Sequence, residues 1–241
     1  MLVLAIDTSA IASAALLRTR GGDGRAEVLE SFASSETNTH AEVLAPAIEG
    51  ILAQAGVAGS ELDRIVVGVG PGPFTGLRVG IATARTLGFA WGIPVDGVMS
   101  LDAVAWDVLA DAGASGVSNV SGASGGGFTV AIDARRKELY WARYGTDGTL
   151  LDGPHVSAAE ALPTGPVYGT GAGLYAERLA AVGAHGVPAF ASTHPHAASL
   201  GAYALRSLAR GRELLATTPL YLRESDAKVP AAMNRPAGFG R

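Results

Sequence analysis

Two six-residue stretches, far apart in the chain, read almost alike: Leu2-Val3-Leu4-Ala5-Ile6-Asp7 and Phe128-Thr129-Val130-Ala131-Ile132-Asp133. Each is a nearly unbroken apolar run closing on Ala-Ile-Asp, the pattern of a strand covered on both faces. The segments after them are alike too. After Asp7 a polar turn leads into an apolar strand from Ile11 to Arg18, a turn at Gly21 to Arg25 and a strand from Glu27 to Phe32. After Asp133 a turn over Ala134 to Lys137 leads to a strand from Glu138 to Tyr144, and Gly145 to Gly148 turns into a third. A chain that repeats this order in outline predicts a duplicated α/β fold of two subdomains.

The remaining elements fit that frame. Thr39 and Glu42 spell a capping box for a helix running to about Ala55, with Pro46 removing one backbone donor inside it. A strand at Ile65-Val66-Val67 runs through a glycine-rich loop into a helix over Thr75 to Ala90, followed by a strand Pro94 to Val98 and a helix Ser100 to Ala110. In the second half a short helix near Ala158 to Ala161, a strand Pro166 to Tyr168, a helix Leu174 to Val182 and a last helix Ala197 to Arg210 are expected. The subdomains are read as 1–100 and 101–225. Gly113 to Gly127, with six Gly and four Ser, reads as a flexible insertion, and 226–241, rich in Pro, Ala and Gly, as a disordered tail.

Composition narrows the function classes. At 48 % hydrophobic residues the 241-residue chain has ample core, and no apolar run is long enough to span a membrane. Met1 opens directly on a strand, without the charged region of a signal peptide, and cysteine is absent, which excludes thiol nucleophiles, thiolate metal sites and disulfides. A cytoplasmic protein fits. The net charge of −4 argues against a chain that grips a nucleic-acid backbone by itself.

The loop Gly68-Val69-Gly70-Pro71-Gly72-Pro73 has a phosphate-loop silhouette but not its spelling: no Gly-Lys-Ser/Thr comes after it, and Pro73 stands where the dinucleotide pattern requires its third glycine. Either its backbone N–H groups favour an anion, or the glycines only build a tight turn. In the next helix, Gly76, Gly80, Ala84 and Gly88 recur every fourth residue along one side. Glycine costs about 1 kcal/mol against alanine inside a helix, so the stripe implies close approach of another backbone. That neighbour is either a helix of a second subunit, the favoured reading, or the chain's own sheet. On the first reading, Leu at Gly80 or Ala84 blocks pairing and spares the fold.

Catalytic residue types are sparse. Asp7 and Asp133, each ending the first strand of a half, either face each other across a cleft as a nucleotide site with Thr8, Gly70 and Gly72, or cap their own turns. The five histidines have no helical metal spacing, and Gly122-Ala123-Ser124-Gly125-Gly126 matches the hydrolase elbow without the strand and helix it needs.

Together Ala5-Ile6-Asp7-Thr8-Ser9, His40-Ala41-Glu42 with Pro46, the run Gly70 to Gly80 and Tyr221-Leu222-Arg223 resemble the bacterial TsaB family over about residues 1–225. The resemblance implies the duplicated actin-like, Hsp70-like ATPase (ribonuclease H-like) fold and an accessory subunit of the complex that forms threonylcarbamoyladenosine at position 37 of tRNAs reading ANN codons. Its paralogue TsaD, the catalytic subunit, carries a metal held by a His-x-x-x-His helix. The matching segment here, Ser100-Leu101-Asp102-Ala103-Val104, has no histidine.

The expectation is therefore a chain without catalytic residues, metal or cofactor of its own, ATP and metal belonging to the partner subunits. It pairs with TsaD, the ATPase TsaE docks on the pair, and tRNA is met only indirectly. A homodimer is the alternative state of the chain alone. Carried onto this sequence, the pairing surface comprises Gly76, Leu77, Gly80, Ile81, Ala84 and Gly88 of one helix with Leu44 and Ile48 of the preceding one. Two rival expectations are an autonomous nucleotide-dependent phosphotransferase or ATPase built on Asp7 and Asp133, and a peptidase.

Overall fold

The computed structural model describes residues 1–20, 24–35, 40–115 and 126–223. The glycine- and serine-rich stretch from 116 to 125, with its elbow-like motif, and the tail beyond 223 lie outside the described residues. The first half holds β1 (Leu2–Asp7), β2 (Ser13–Thr19), β3 (Ala26–Ala33), α1 (His40–Ala55), β4 (Arg64–Gly68), α2 (Phe74–Trp91), β5 (Val95–Val98) and α3 (Ser100–Ser115). The second holds β6 (Phe128–Asp133), β7 (Glu138–Tyr144), β8 (Leu150–Ala158), β9 (Gly165–Tyr168), α4 (Thr170–Leu174), α5 (Ala176–Ala180), β10 (Ala184–Gly186) and α6 (Ala197–Ala209).

The two sheets run in the same order, β3-β2-β1-β4-β5 and β8-β7-β6-β9-β10. In each the repeated strand is central, antiparallel to its hairpin partner and parallel to the strand after the first crossover. Even the register repeats: Asp7 lies opposite Ser13 and Asp133 opposite Leu139. The molecule is thus a duplicated α/β fold of the actin-like, ribonuclease H-like class.

Alternation along β1 sorts its side chains to two cores. Leu4 and Ile6, with Leu16, Ile65 and Val67, pack under α1 and α2 through Leu44, Ile48, Leu77 and Ile81. Val3 and Ala5, with Leu17 and Val66, meet Leu200, Ala204 and Leu205 of α6 on the other face. In the second half, Phe128, Val130 and Ile132 pack on Leu101, Val104 and Val108 of α3, while Ala131, Leu139 and Val167 meet Ala172 and Leu179. Because α3 and α6 also pack on each other, they form one middle layer between the sheets.

Three elements differ from the sequence reading. α3 runs on to Ser115, and the expected helix 174–182 is two short helices separated at Tyr175. Strand β10 has no counterpart in the sequence reading, because three residues on a sheet edge leave no period to read. The last helix, α6, covers the first sheet; a helix's apolar stripe does not say which sheet it will meet.

Residues 214–223 cross the molecule as a strap. Gly97 N–H donates to Leu215 O at 2.7 Å and Leu215 N–H to Gly97 O at 2.9 Å, which covers the edge of β5. Arg85 reaches Thr217 Oγ1 and O at 2.8 Å each. Leu220 packs against the cores of both halves, Tyr221 stacks on Phe74 at 4.8 Å, and the Arg223 guanidinium holds Ala134 O at 3.0 Å and pairs with Glu138 in the second half.

Candidate functional site

The glycine loop and α2 are shaped by what lies beneath them. Gly70 has φ +100°, and its backbone is pinned to the start of α3: its N–H donates to Ser100 Oγ at 3.2 Å, and Ser100 N–H donates to Gly70 O at 2.8 Å. Gly72 lies on the backbone of Ser9. Gly76 rides on Thr8, where an added Cβ would come within 2.6 Å of Thr8 O, and the Thr8 hydroxyl donates to Gly76 O at 2.8 Å. Gly80 meets the Thr8 side chain, Gly88 meets Val95, and Ala84 is fully buried.

The residues expected at the pairing surface are packed within the chain. The small-residue stripe faces the chain's own β1–β2 turn and β5, where side chains would collide with the strand ends the helix must approach. Leu77, Ile81, Leu44 and Ile48 are likewise spent in the first core. All eight residues expected at a subunit interface are buried within the chain.

The carboxylates of the expected nucleotide constellation are also engaged within the chain. Asp7 is fully buried: Ser9 N–H and hydroxyl donate to Oδ1 at 2.8 and 2.6 Å, and the Ser100 hydroxyl donates to Oδ2 at 2.6 Å. Burial pushes its carboxyl upward, only partly offset by these bonds. Asp133 does reach the cleft between the halves, a cavity of about 530 Å³, but its Oδ1 accepts Arg135 N–H at 2.9 Å, so it caps its own turn with Arg135 Nη1 at 3.5 Å from Oδ2. The cleft also receives Ser9, Thr170 and His194, whose imidazole is held toward its neutral form by burial and by His196. A magnesium-phosphate group does not fit: one of its two expected carboxylates is sealed behind Ser9 and Ser100, and the other is committed to an arginine turn.

The segment expected to match the paralogue's metal helix is equally occupied. Asp102 on α3 is buried in the middle layer, where the Tyr144 hydroxyl donates to Oδ1 at 2.8 Å and Tyr203 adds a second bond. Burial raises its carboxyl to about 6.

Among the surfaces the described residues leave open is the outer side of the first half's helices. A groove of about 340 Å³ between α1 and α2 is lined by Ala45, Glu49, Leu52, Ala53, Leu87 and Trp91. α2 itself exposes Thr75, Ala82, Thr86, Phe89 and Ala90, with the exposed Arg78 and Arg85 reaching Tyr221 and Thr217 of the strap, and Phe89 is 92 % exposed. The sequence reading misses this face. Its signal is present, Ala82 and Phe89 on the side of the helix opposite the glycine stripe, but the stripe draws the interface to itself.

The sequence profile described as TsaD, tRNA N6-adenosine threonylcarbamoyltransferase, matches residues 27–209. The chain therefore belongs to the threonylcarbamoyltransferase family, an actin-like family. Within it the chain is TsaB-like. It is similar to the solved YeaZ of Pseudomonas aeruginosa, with a TM-score of 0.69 and 31 % identity over 92 % of this chain and 100 % of that one. An uncharacterized protein of Mycobacterium tuberculosis is 39 % identical over 94 % of this chain and 93 % of its own length. The tRNA threonylcarbamoyladenosine biosynthesis protein TsaB of Escherichia coli is 32 % identical over 61 % of this chain and 56 % of its own length. Among the described residues no helix is long and apolar enough to cross a membrane.

Proposed function

We propose that this chain is an accessory subunit in the biosynthesis of threonylcarbamoyladenosine in tRNA, pairing with a catalytic TsaD-type subunit through the outer faces of α1 and α2. The observation that carries the reading is the 92 %-exposed Phe89 on the outer face of α2, on the same helix pair as the apolar groove. A monomer that leaves a large aromatic side chain this exposed beside apolar surface carries a patch suited to a partner. Glu42 and Glu49, exposed on α1, supply a polar rim.

The accessory role is supported by how two buried carboxylates are used. Asp7 is an internal hydrogen-bond hub, and α3 carries the Tyr-bound Asp102 where the paralogue has its histidines. On this reading the metal and ATP belong to partner subunits, a TsaE-type ATPase docks on the pair, and the chain meets tRNA through the assembly. The helix pair serves a homodimer when the catalytic subunit is absent.

The test is co-purification of the chain with the TsaD-type protein of the same cell, together with mass spectrometry of hydrolysed tRNA. Phe89→Asp is expected to abolish co-purification and the modified nucleoside while leaving the thermal midpoint of the isolated chain in place. Normal pairing by the Phe89→Asp chain would overturn the surface assignment. Unchanged threonylcarbamoyladenosine in cells depleted of the chain would overturn the pathway assignment.

A further inference from the structure

A third cavity, of about 360 Å³, has no part in the proposed pairing. It lies between α3, the carboxyl end of α6 and the β7–β8 turn. Its floor is apolar, from Ala105 and Leu109, one wall is the half-buried indole of Trp106, and its rim carries Arg206, Arg210 and Arg212.

Local sequence delivers the three arginines together. Arg206, in the last turn of α6, and Arg210, the residue that closes it, are one helical turn apart. Gly211, at φ +69°, then ends the helix: its N–H donates to Leu208 O at 2.9 Å and Arg212 N–H donates to Ser207 O at 3.0 Å, which hooks the chain back. Arg212 returns to the cavity instead of running on into solvent. The opposite wall is equally constructed. Asp147 accepts Thr149 N–H and hydroxyl at 2.9 and 2.7 Å, and Gly148, at φ +83°, sets its α-carbon against Leu109.

The charges do not balance. Three guanidinium groups meet one lining carboxylate, Asp147, whose two oxygens are turned into its own loop and which Arg212 faces. Arg206 makes a polar contact of its own within the chain, so the surplus rests on the exposed Arg210 and Arg212. The dipole of α6 accounts for a cation in the last turn but not for Arg212, beyond the helix end. Like charges one turn apart repel, and in a chain of net charge −4 this gathering runs against the overall balance.

We infer that this cavity binds a mononucleotide, with a planar base against Trp106 and its phosphate held by Arg210 and Arg212 beside Arg206. A guanidinium matches phosphate with paired N–H donors, an indole offers a stacking face, and the volume falls within the range of small-molecule sites. A bare anion leaves the indole unused, and a neutral aromatic leaves the arginines unpaired.

The probe is AMP, titrated into the full chain at low salt and followed by calorimetry and tryptophan fluorescence, with adenosine and inorganic phosphate as partial ligands. Saturable binding of AMP is expected, weakened about tenfold or more by removal of either the ring or the phosphate, and by raised salt. The double substitution Arg210→Ala, Arg212→Ala, on exposed positions that spare the fold, should cost AMP at least tenfold; Trp106→Leu should remove the fluorescence response. Arg135→Ala, in the interlobe cleft, should change nothing. Absence of saturable AMP binding up to millimolar concentration, or binding indifferent to Arg210 and Arg212, overturns the proposal, and binding lost with Arg135 relocates it to the cleft.

Discussion

Asp102 shows how much one side chain can mean when three elements close over it. Buried between α3, β7 and α6, it takes hydrogen bonds from Tyr144 and Tyr203, yet burial outweighs them and raises its carboxyl from the usual 3.8 to about 6. The folded chain therefore holds the Asp102 proton more tightly than the unfolded chain, so this group's contribution to stability is full below about pH 3.8 and is lost as pH rises through 6. The loss amounts to about 3 kcal/mol at 1.36 kcal/mol per unit. Asp102→Asn should flatten the fall in stability between pH 4 and 6 relative to the wild type, read as urea midpoints across that range. Parallel curves for the two proteins would show that Asp102 does not titrate in this window. Asp7 teaches the complementary lesson. Asp7→Ala leaves the Ser9 and Ser100 donors without their acceptor in a sealed site, a loss on the order of 2–4 kcal/mol in thermal or urea melts, and Asp7→Asn, which keeps an acceptor, should lose less.

At the scale of the element, α2 has two faces with opposite duties. Its glycine face rests on Thr8 and Val95, so Gly80→Ala should be destabilising, by about 1–3 kcal/mol from overpacking, even though alanine is the better helix former. Its outer face carries the exposed Phe89, so Phe89→Asp should leave stability within about 0.5 kcal/mol and remove the partner. Melting both variants beside a pull-down separates the duties. If Gly80→Ala melts like the wild type and loses the partner, the stripe is the interface after all. A glycine stripe is legible in sequence as a demand for close approach, but both the chain's own turn and a foreign helix satisfy that demand. Only the position of Thr8, 68 residues from Gly76 along the chain, chooses between them.

At the scale of the whole molecule, the strap from 214 to 223 joins what duplication left separate. Leu220 enters both cores, and Arg223 ties the first half's last contacts to the β6–β7 turn at Ala134 and Glu138. Arg223→Ala should loosen the coupling between halves, and calorimetry should register it as a van't Hoff enthalpy falling below the calorimetric one. A single two-state transition unchanged by the substitution would mean that the middle layer of α3 and α6 does the coupling alone.

The duplicated strands, their hairpins and the fold class were legible because a strand buried on both faces must be written as a continuous apolar run, and Leu2 to Asp7 and Phe128 to Asp133 are such runs. The glycine loop announced a tight turn for the same local reason: only glycine adopts the φ of +100° at Gly70 without strain. The candidate site was not legible in this way. Whether Asp7 faces solvent, whether α6 covers the first sheet or the second, and which side of α2 is left over depend on which distant segments come to rest there. Such contacts join residues scores of positions apart, and no local period records them. The sequence by itself therefore determined the elements, their repetition and the need for close packing, because these arise from side-chain shape and backbone freedom within a few residues. Tertiary structure alone decided which surfaces remain for a partner, because exposure is whatever the rest of the chain has not already covered.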